Sequence, residues 1–204
     1  MGILGKQHRK SRGFTLVELL IVIFIIGVLA AIYLVVYPSA QQRTRDNVRK
    51  SDMQQVAAAL HAYAIQKNAG YIVTSSGCGL NGDGNGWLDA GPTDTGAGTY
   101  PASITSCLQS AGLLTTGTFI DPSGCKWGSG GSCGTTNSVV QAYMKASCTK
   151  NGNPITYLFA HLEQGTSNNS VVDALCDSGS VSDFSSSTQK WGTLYGMNYY
   201  VTVT

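Results

Sequence analysis

The chain has 204 residues, with 13 Lys and Arg, 11 Asp and Glu, and 25 glycines, room for one domain with an appendage or for two small domains. The net charge of +2 hides a split: residues 1–13 carry four Lys/Arg and no acid, whereas residues 51–204 carry five Lys/Arg against nine Asp/Glu. A mildly acidic distal part excludes a dedicated nucleic-acid surface there, which would need clustered cations.

Residues 1–13, MGILGKQHRKSRG, are short, polar and basic. An export signal places its apolar core before a small-residue cleavage site. Here the small residue, Gly13, comes first, so a cut after it would leave the apolar run intact. That run, Phe14 to Tyr37, has 24 residues, and Glu18 is its one charge. As a helix it would be about 36 Å long, enough to span a bilayer. The basic leader predicts a cytoplasmic N-terminus with the rest of the chain outside. Pro38 predicts a bend or local melting near Tyr33–Pro38. Beyond it, Val48, Met53, Val56, Leu60 and Tyr63 keep helical spacing, which predicts an amphipathic half over residues 38–70 that ends near Asn68 before Gly70.

Residues 71–204 are expected to form a globular head. Residues 71–99 read as loop, and YPASITSCLQSAGLL as a short helix begun near Pro101 and ended at Gly112. Three segments, residues 138–147, 154–163 and 194–204, read as strands rich in Val, Tyr and Phe. The fold class is therefore α+β: a long N-terminal helix, apolar and then amphipathic, carrying a small head with an antiparallel sheet.

All six cysteines, Cys78, Cys107, Cys125, Cys133, Cys148 and Cys176, lie in that head. Their even number, the absence of a Cys-x-x-Cys pair and their position beyond a membrane segment predict disulfides formed in an oxidising space. The alternative is six buried thiols. Connectivity stays open. Sequential pairing would join Cys125 to Cys133 across a flexible Gly/Ser stretch, Cys78 to Cys107, and Cys148 to Cys176.

Asn81, Asp83, Asn85 and Asp89, with Gly86 at the sharp turn, match part of a calcium-loop pattern. Pro92 stands where the bidentate acid belongs, Asp94 is a substitute for it, and a plain Asn-Gly and Asp-Gly turn cluster is the competing reading. No other cofactor is indicated. The histidines, His8, His61 and His161, are scattered, and neither a Gly-x-Ser-x-Gly turn nor a phosphate loop occurs, so the chain does not read as an enzyme.

Residues 12–31, RGFTLVELLIVIFIIGVLAA, resemble the processing and assembly signature of type IV pilins and type II secretion pseudopilins. That family has a short basic leader ending in Gly, then Phe, then Glu as the fifth residue after the cut, then an apolar helix. Gly13, Phe14 and Glu18 match it position for position. YPASI, FIDPSG and ITYLFAHLE are faintly similar to heads of the major-pseudopilin type, and the N-terminus alone does not choose between pilin and pseudopilin. The resemblance implies that a prepilin peptidase cuts between Gly13 and Phe14 and methylates the new amine, and that an assembly ATPase and a membrane platform build homo-oligomeric filaments. It implies a single-pass membrane precursor and an extracellular filament subunit, a pilus pilin in the first reading. A secretion or DNA-uptake pseudopilin is the second reading, and a membrane-anchored surface binding protein the third. Glu18, one turn beyond Phe14, can meet the freed amine of its own chain or a neighbour; the competing role is a carboxylate reaching the cytoplasmic interface. Small residues such as Gly27 suit close helix packing. Non-helical or stretched backbone is expected between Gly27 and Pro38 in the assembled fibre.

Overall fold

The computed structural model describes residues 13–67, 76–92, 99–115, 119–125, 140–165 and 195–203, with positions 177 and 192. Helix α1 runs from Leu16 to Lys67. A short 3-10 turn (Leu80–Gly82), strand β1 (Gly86–Trp87), helix α2 (Ile104–Ser110) and strands β2 (Met144–Lys150), β3 (Asn153–Ala160) and β4 (Tyr199–Val203) follow. The four strands form one sheet in the order β1-β2-β3-β4, antiparallel throughout. This is the α+β arrangement read from the sequence.

The chain divides into two compact units, residues 1–41 and 42–204. In the first, the helix is apolar all round, and every described residue up to Pro38 is exposed. It continues through Gly27 and Pro38 without interruption. The Ser39 hydroxyl donates to the Val36 carbonyl at 2.9 Å, and Tyr33 and Tyr37, one turn apart, stack at 4.8 Å. The stretched segment expected of a fibre is thus a statement about assembled copies; the single chain is helical there.

In the second unit the sheet carries a hydrophobic cluster on each face. The register sets Met144 opposite Phe159 and Lys145 opposite Leu158, so alternate residues point to opposite sides. Met144, Ala146, Tyr157 and Phe159 join Trp87, Tyr100, Val140, Tyr195 and Met197 on one side. Leu158, Ala160 and Val203 meet Met53, Val56 and Leu60 of α1 and Ile104 and Leu108 of α2 on the other. Ser103 caps α2 by accepting from the Ser106 N–H at 3.0 Å, which satisfies a donor the first turn leaves open. The β2–β3 hairpin turns through Asn151 and Gly152, both at positive φ (51° and 79°), as a two-residue turn matched to strand twist requires.

The strands differ from their expected bounds for one reason: flanking backbone groups find other partners. Val140 N–H donates to the Tyr195 carbonyl, outside the β1–β2 pairing, and β2 begins at Met144. Asn198 accepts from Leu162 N–H at 2.7 Å and donates to the Leu162 carbonyl at 2.9 Å, standing in for ladder bonds and delaying β4 to Tyr199. Strand β1, two residues within a stretch read as loop, was not foreseen.

Arg49 holds α1 in this second unit. Its side chain is fully buried, with Nε and Nη2 in a fork on Asp121 at 2.6 and 2.8 Å. Nη1 donates to Asp46 and to Glu163, both at 2.8 Å. Arg45 grips Glu163 with a second fork. Asp46 in turn accepts from the N–H groups of Glu163 and Gln164 at 2.9 and 2.8 Å. Hydrogen bonds from Arg45, helped by Arg49, draw the Glu163 carboxyl from its ordinary 4.5 down to about 2, against the opposing effect of burial.

Two predictions follow from this network. Arg49→Ala leaves three carboxylates without their shared partner and should cost about 3–5 kcal/mol in denaturant unfolding, as loss of one member of a buried ion pair does; Arg49→Lys, lacking the fork, should recover little of it. Because the folded Glu163 carboxyl titrates below the unfolded one, its contribution is complete above pH ~4.5 and is lost as pH falls toward ~2. Unfolding midpoints measured between pH 7 and 2 should show that decline, and Glu163→Gln should flatten it.

Candidate processing and assembly site

Gly13 and Phe14 precede the helix, and both are exposed, Phe14 to 86%. A Cβ built on Gly13 meets nothing within 4 Å. Packing in this chain therefore does not demand glycine at that position. Uncrowded backbone outside regular structure is what a protease needs to reach a peptide bond.

Glu18 has a partner that the sequence reading missed. Thr15 N–H and the Thr15 hydroxyl both donate to Glu18 Oε2, each at 2.8 Å, while Glu18 N–H donates back to Thr15 Oγ1 at 3.2 Å. The first helical bond runs from Leu19 N–H to the Thr15 carbonyl at 3.2 Å. This is a reciprocal capping box, with Thr15 as N-cap and Glu18 three residues on. The signal was in plain sight as Thr-Leu-Val-Glu. With residues 1–13 still joined to Phe14, its nitrogen is an amide, and the carboxylate is held by Thr15. Two donors and the positive helix end lower the cost of keeping that charge away from water.

In the head, Cys78 and Cys107 form a disulfide across 29 residues, tying the loop after α1 to α2. A closure of that length contributes about 3–4 kcal/mol in the chain-entropy view. Cys125 and Cys148 are also disulfide-bonded; Cys133 and Cys176 lie outside the described residues.

Three of the four calcium-loop residues have side-chain oxygens that accept hydrogen bonds in the head. Asn81 Oδ1 accepts from Thr99 N–H at 3.3 Å, and Asp83 Oδ1 from Asn85 N–H at 2.9 Å. Asn85 Oδ1 accepts from Lys145 Nζ at 3.1 Å and from Ser147 N–H at 3.0 Å. Asp89 lies beyond β1, half-buried, and the substitute ligand Asp94 is outside the described residues. Among the described residues, no group of three or more His, Cys, Asp or Glu is placed to hold a metal ion. His161 Nδ1 lies 2.6 Å from the Gly196 carbonyl, a structural contact at the end of β3.

Residues 8–34 match the prokaryotic N-terminal methylation motif. The chain is 37% identical over 71 residues to the type II secretion system core protein G of Pseudomonas aeruginosa. The match covers 35% of this chain and 49% of that protein, so it spans about half the relative's length. No solved structure matches the chain. The chain thus joins a capped helix start within the matched motif, a helix long and apolar enough to cross a membrane and an antiparallel head, and its likeness to the type II secretion core protein is confined to 71 residues.

Proposed function

We propose that this chain is a non-enzymatic filament subunit, processed by a prepilin peptidase between Gly13 and Phe14 and assembled through its apolar helix as a secretion pseudopilin. The observation that carries the reading is the exposure of the whole apolar run. Its large side chains, from Phe14 to Tyr37, are 45–86% exposed, an apolar surface far beyond what a lone soluble protein leaves in water. Lipid covers it in the precursor and neighbouring copies cover it in the filament.

Helix rise supports the membrane stage. Glu18 and Tyr37 are 19 residues apart, about 28 Å at ~1.5 Å per residue, close to the ~30 Å of a hydrocarbon core. With the Tyr33–Tyr37 stack at the outer interface, where tyrosines concentrate, Glu18 and its Thr15 cap lie at the cytoplasmic face. The peptide bond to be cut lies just beyond. Entry into a filament then carries the carboxylate into low dielectric, and the freed Phe14 amine is a cation within one turn that can take over from Thr15.

The first reading of the sequence, a pilin of a surface pilus, shares all of this. The type II secretion relative favours the pseudopilin, in which a short filament moves cargo, over the surface fibre. An assembly ATPase and a platform protein are the machinery either filament needs. Deleting the gene separates them: a pseudopilin's loss retains secreted proteins inside the cell, whereas a pilin's loss removes surface fibres seen by electron microscopy. A membrane-anchored binding protein predicts neither effect and a chain that keeps its leader.

Intact-mass measurement on membrane or filament fractions should find a chain starting at N-methylated Phe14; a mass retaining residues 1–13 would refute the proposal. Glu18→Ala should leave processing intact and reduce filament yield at least about tenfold, the equivalent of ~1.4 kcal/mol. Thr15→Val, which removes the cap and keeps the shape, should have a smaller effect in the same direction, read by the same yield assay.

A further inference from the structure

The loop from Gly77 to Asp89 bends inward on an unusual backbone. Gly77, Gly79, Asn81, Gly82, Gly84 and Gly86 all have positive φ, a region L side chains avoid and glycine tolerates. Two of these sites also lack room. A Cβ at Gly79 would lie 2.4 Å from the Asn85 carbonyl oxygen, and one at Gly86 would lie 2.4 Å from the Tyr100 hydroxyl. The loop closes on itself through Gly77 N–H to Gly82 O, Gly84 N–H to Cys78 O and Leu80 N–H to Asn85 O. With those carbonyls bonded within the loop, the Gly84 carbonyl is turned away from the loop's own N–H groups to a side chain outside it.

The residue is Lys145, from β2, paired with Gly86 across the β1–β2 ladder. Its side chain is fully buried. Nζ donates to the Gly84 carbonyl at 2.6 Å, to Asn85 Oδ1 at 3.1 Å and to the Ser147 hydroxyl at 3.3 Å. An ammonium has three N–H donors and no acceptor, and here oxygens from the loop and from β2 face them. The Asn85 oxygen is fixed by a second bond from Ser147 N–H at 3.0 Å, and Ser147 pairs with Thr156 on β3 at 2.9 Å. Two of the acceptors, Asn85 Oδ1 and the Ser147 hydroxyl, thus have a second hydrogen-bond partner besides the ammonium.

We propose that Lys145 is the resident cation of this loop: its ammonium gathers the oxygens that a calcium loop of this spacing would turn on a metal, and loop order depends on that side chain in place of a divalent ion. Asn81 Oδ1 and Asp83 Oδ1 accept from backbone N–H groups, Asn85 Oδ1 is on the ammonium, and Asp89 Oδ2, buried, accepts no hydrogen bond among the described residues. A divalent ion on the same oxygens would face a positive charge at contact distance and displace three hydrogen bonds. The ligand class the loop accepts is a primary alkylammonium, supplied in cis.

The test uses the full-length protein in detergent. The wild-type melting temperature should stay within about 1 °C on adding a chelator or millimolar calcium chloride, and terbium should give no luminescence sensitised by Trp87. Lys145→Met should lower the melting temperature by about 5–10 °C, the scale of losing a buried, hydrogen-bonded charge in a chain of this size. It should also raise amide exchange at residues 79–86. Asn85→Ala should raise exchange at the same amides to a lesser extent. If Lys145→Met does not fold, exchange in the wild type decides: protection of residues 79–86 unchanged by chelator upholds the proposal. A wild-type melting temperature raised several degrees by calcium, chelator-sensitive protection, or a Lys145→Met protein as stable and protected as the wild type would overturn it.

Discussion

The head is organised around one buried guanidinium. Arg49 is fully enclosed and survives there because three carboxylates surround it, Asp121 through a fork and Asp46 and Glu163 through the remaining amino group. Burying such a charge is costly unless every donor finds an acceptor, so the helix, the segment at Asp121 and the turn after β3 must arrive together. That requirement fixes the rotation of α1 in the head: once Arg49 faces these acids, Met53, Val56 and Leu60, at spacings of three and four, turn toward the sheet. Apolar packing supplies the driving force, and the polar node supplies the register.

One helix meets two different demands. From Met53 to Leu60 it buries a stripe against Leu158, Ala160, Ile104 and Leu108, as an amphipathic helix does in a soluble domain. From Leu16 to Tyr37 it buries nothing in the single chain. Backbone bonds within a helix are satisfied locally, which is why the same secondary structure persists where no side chain has a partner. The capping box at Thr15 and Glu18 follows the same economy, closing the helix start with residues three positions apart.

Loops in the head replace ladder bonds with side chains. Asn198 mimics a strand partner for Leu162, Tyr143 donates to Asp52 of α1 at 2.9 Å, and Lys145 binds the loop before β1. Burial and the Asp52 charge push the Tyr143 hydroxyl far above its ordinary range, so it stays a neutral donor. With short strands and the Cys78–Cys107 bridge, the head draws its specificity from such polar pins as much as from its apolar faces.

Local chemistry made a good part of this legible in the sequence. The apolar run, the helix that follows, the short helix between Pro101 and Gly112, three strand segments and the Gly-Phe-x-x-x-Glu signature all depend on residues a few positions apart. Thr-x-x-Glu at the helix start and Asn-Gly between β2 and β3 were equally local and were passed over. What tertiary structure alone decided involves partners distant along the chain. Arg49 meets Asp121 and Glu163 across 72 and 114 residues, and Lys145 meets the Asn81–Asp89 loop across about 60. Spacing matches four of those loop residues to part of a calcium-loop pattern, and spacing records only order along the chain. Folding set oxygens of three of these residues against donors: Asn81 against Thr99 N–H, Asp83 against Asn85 N–H, and Asn85 against an ammonium delivered by a strand. Periodicity can state which side chains want burial, but a charge reveals its partner only once the sheet has brought the two together.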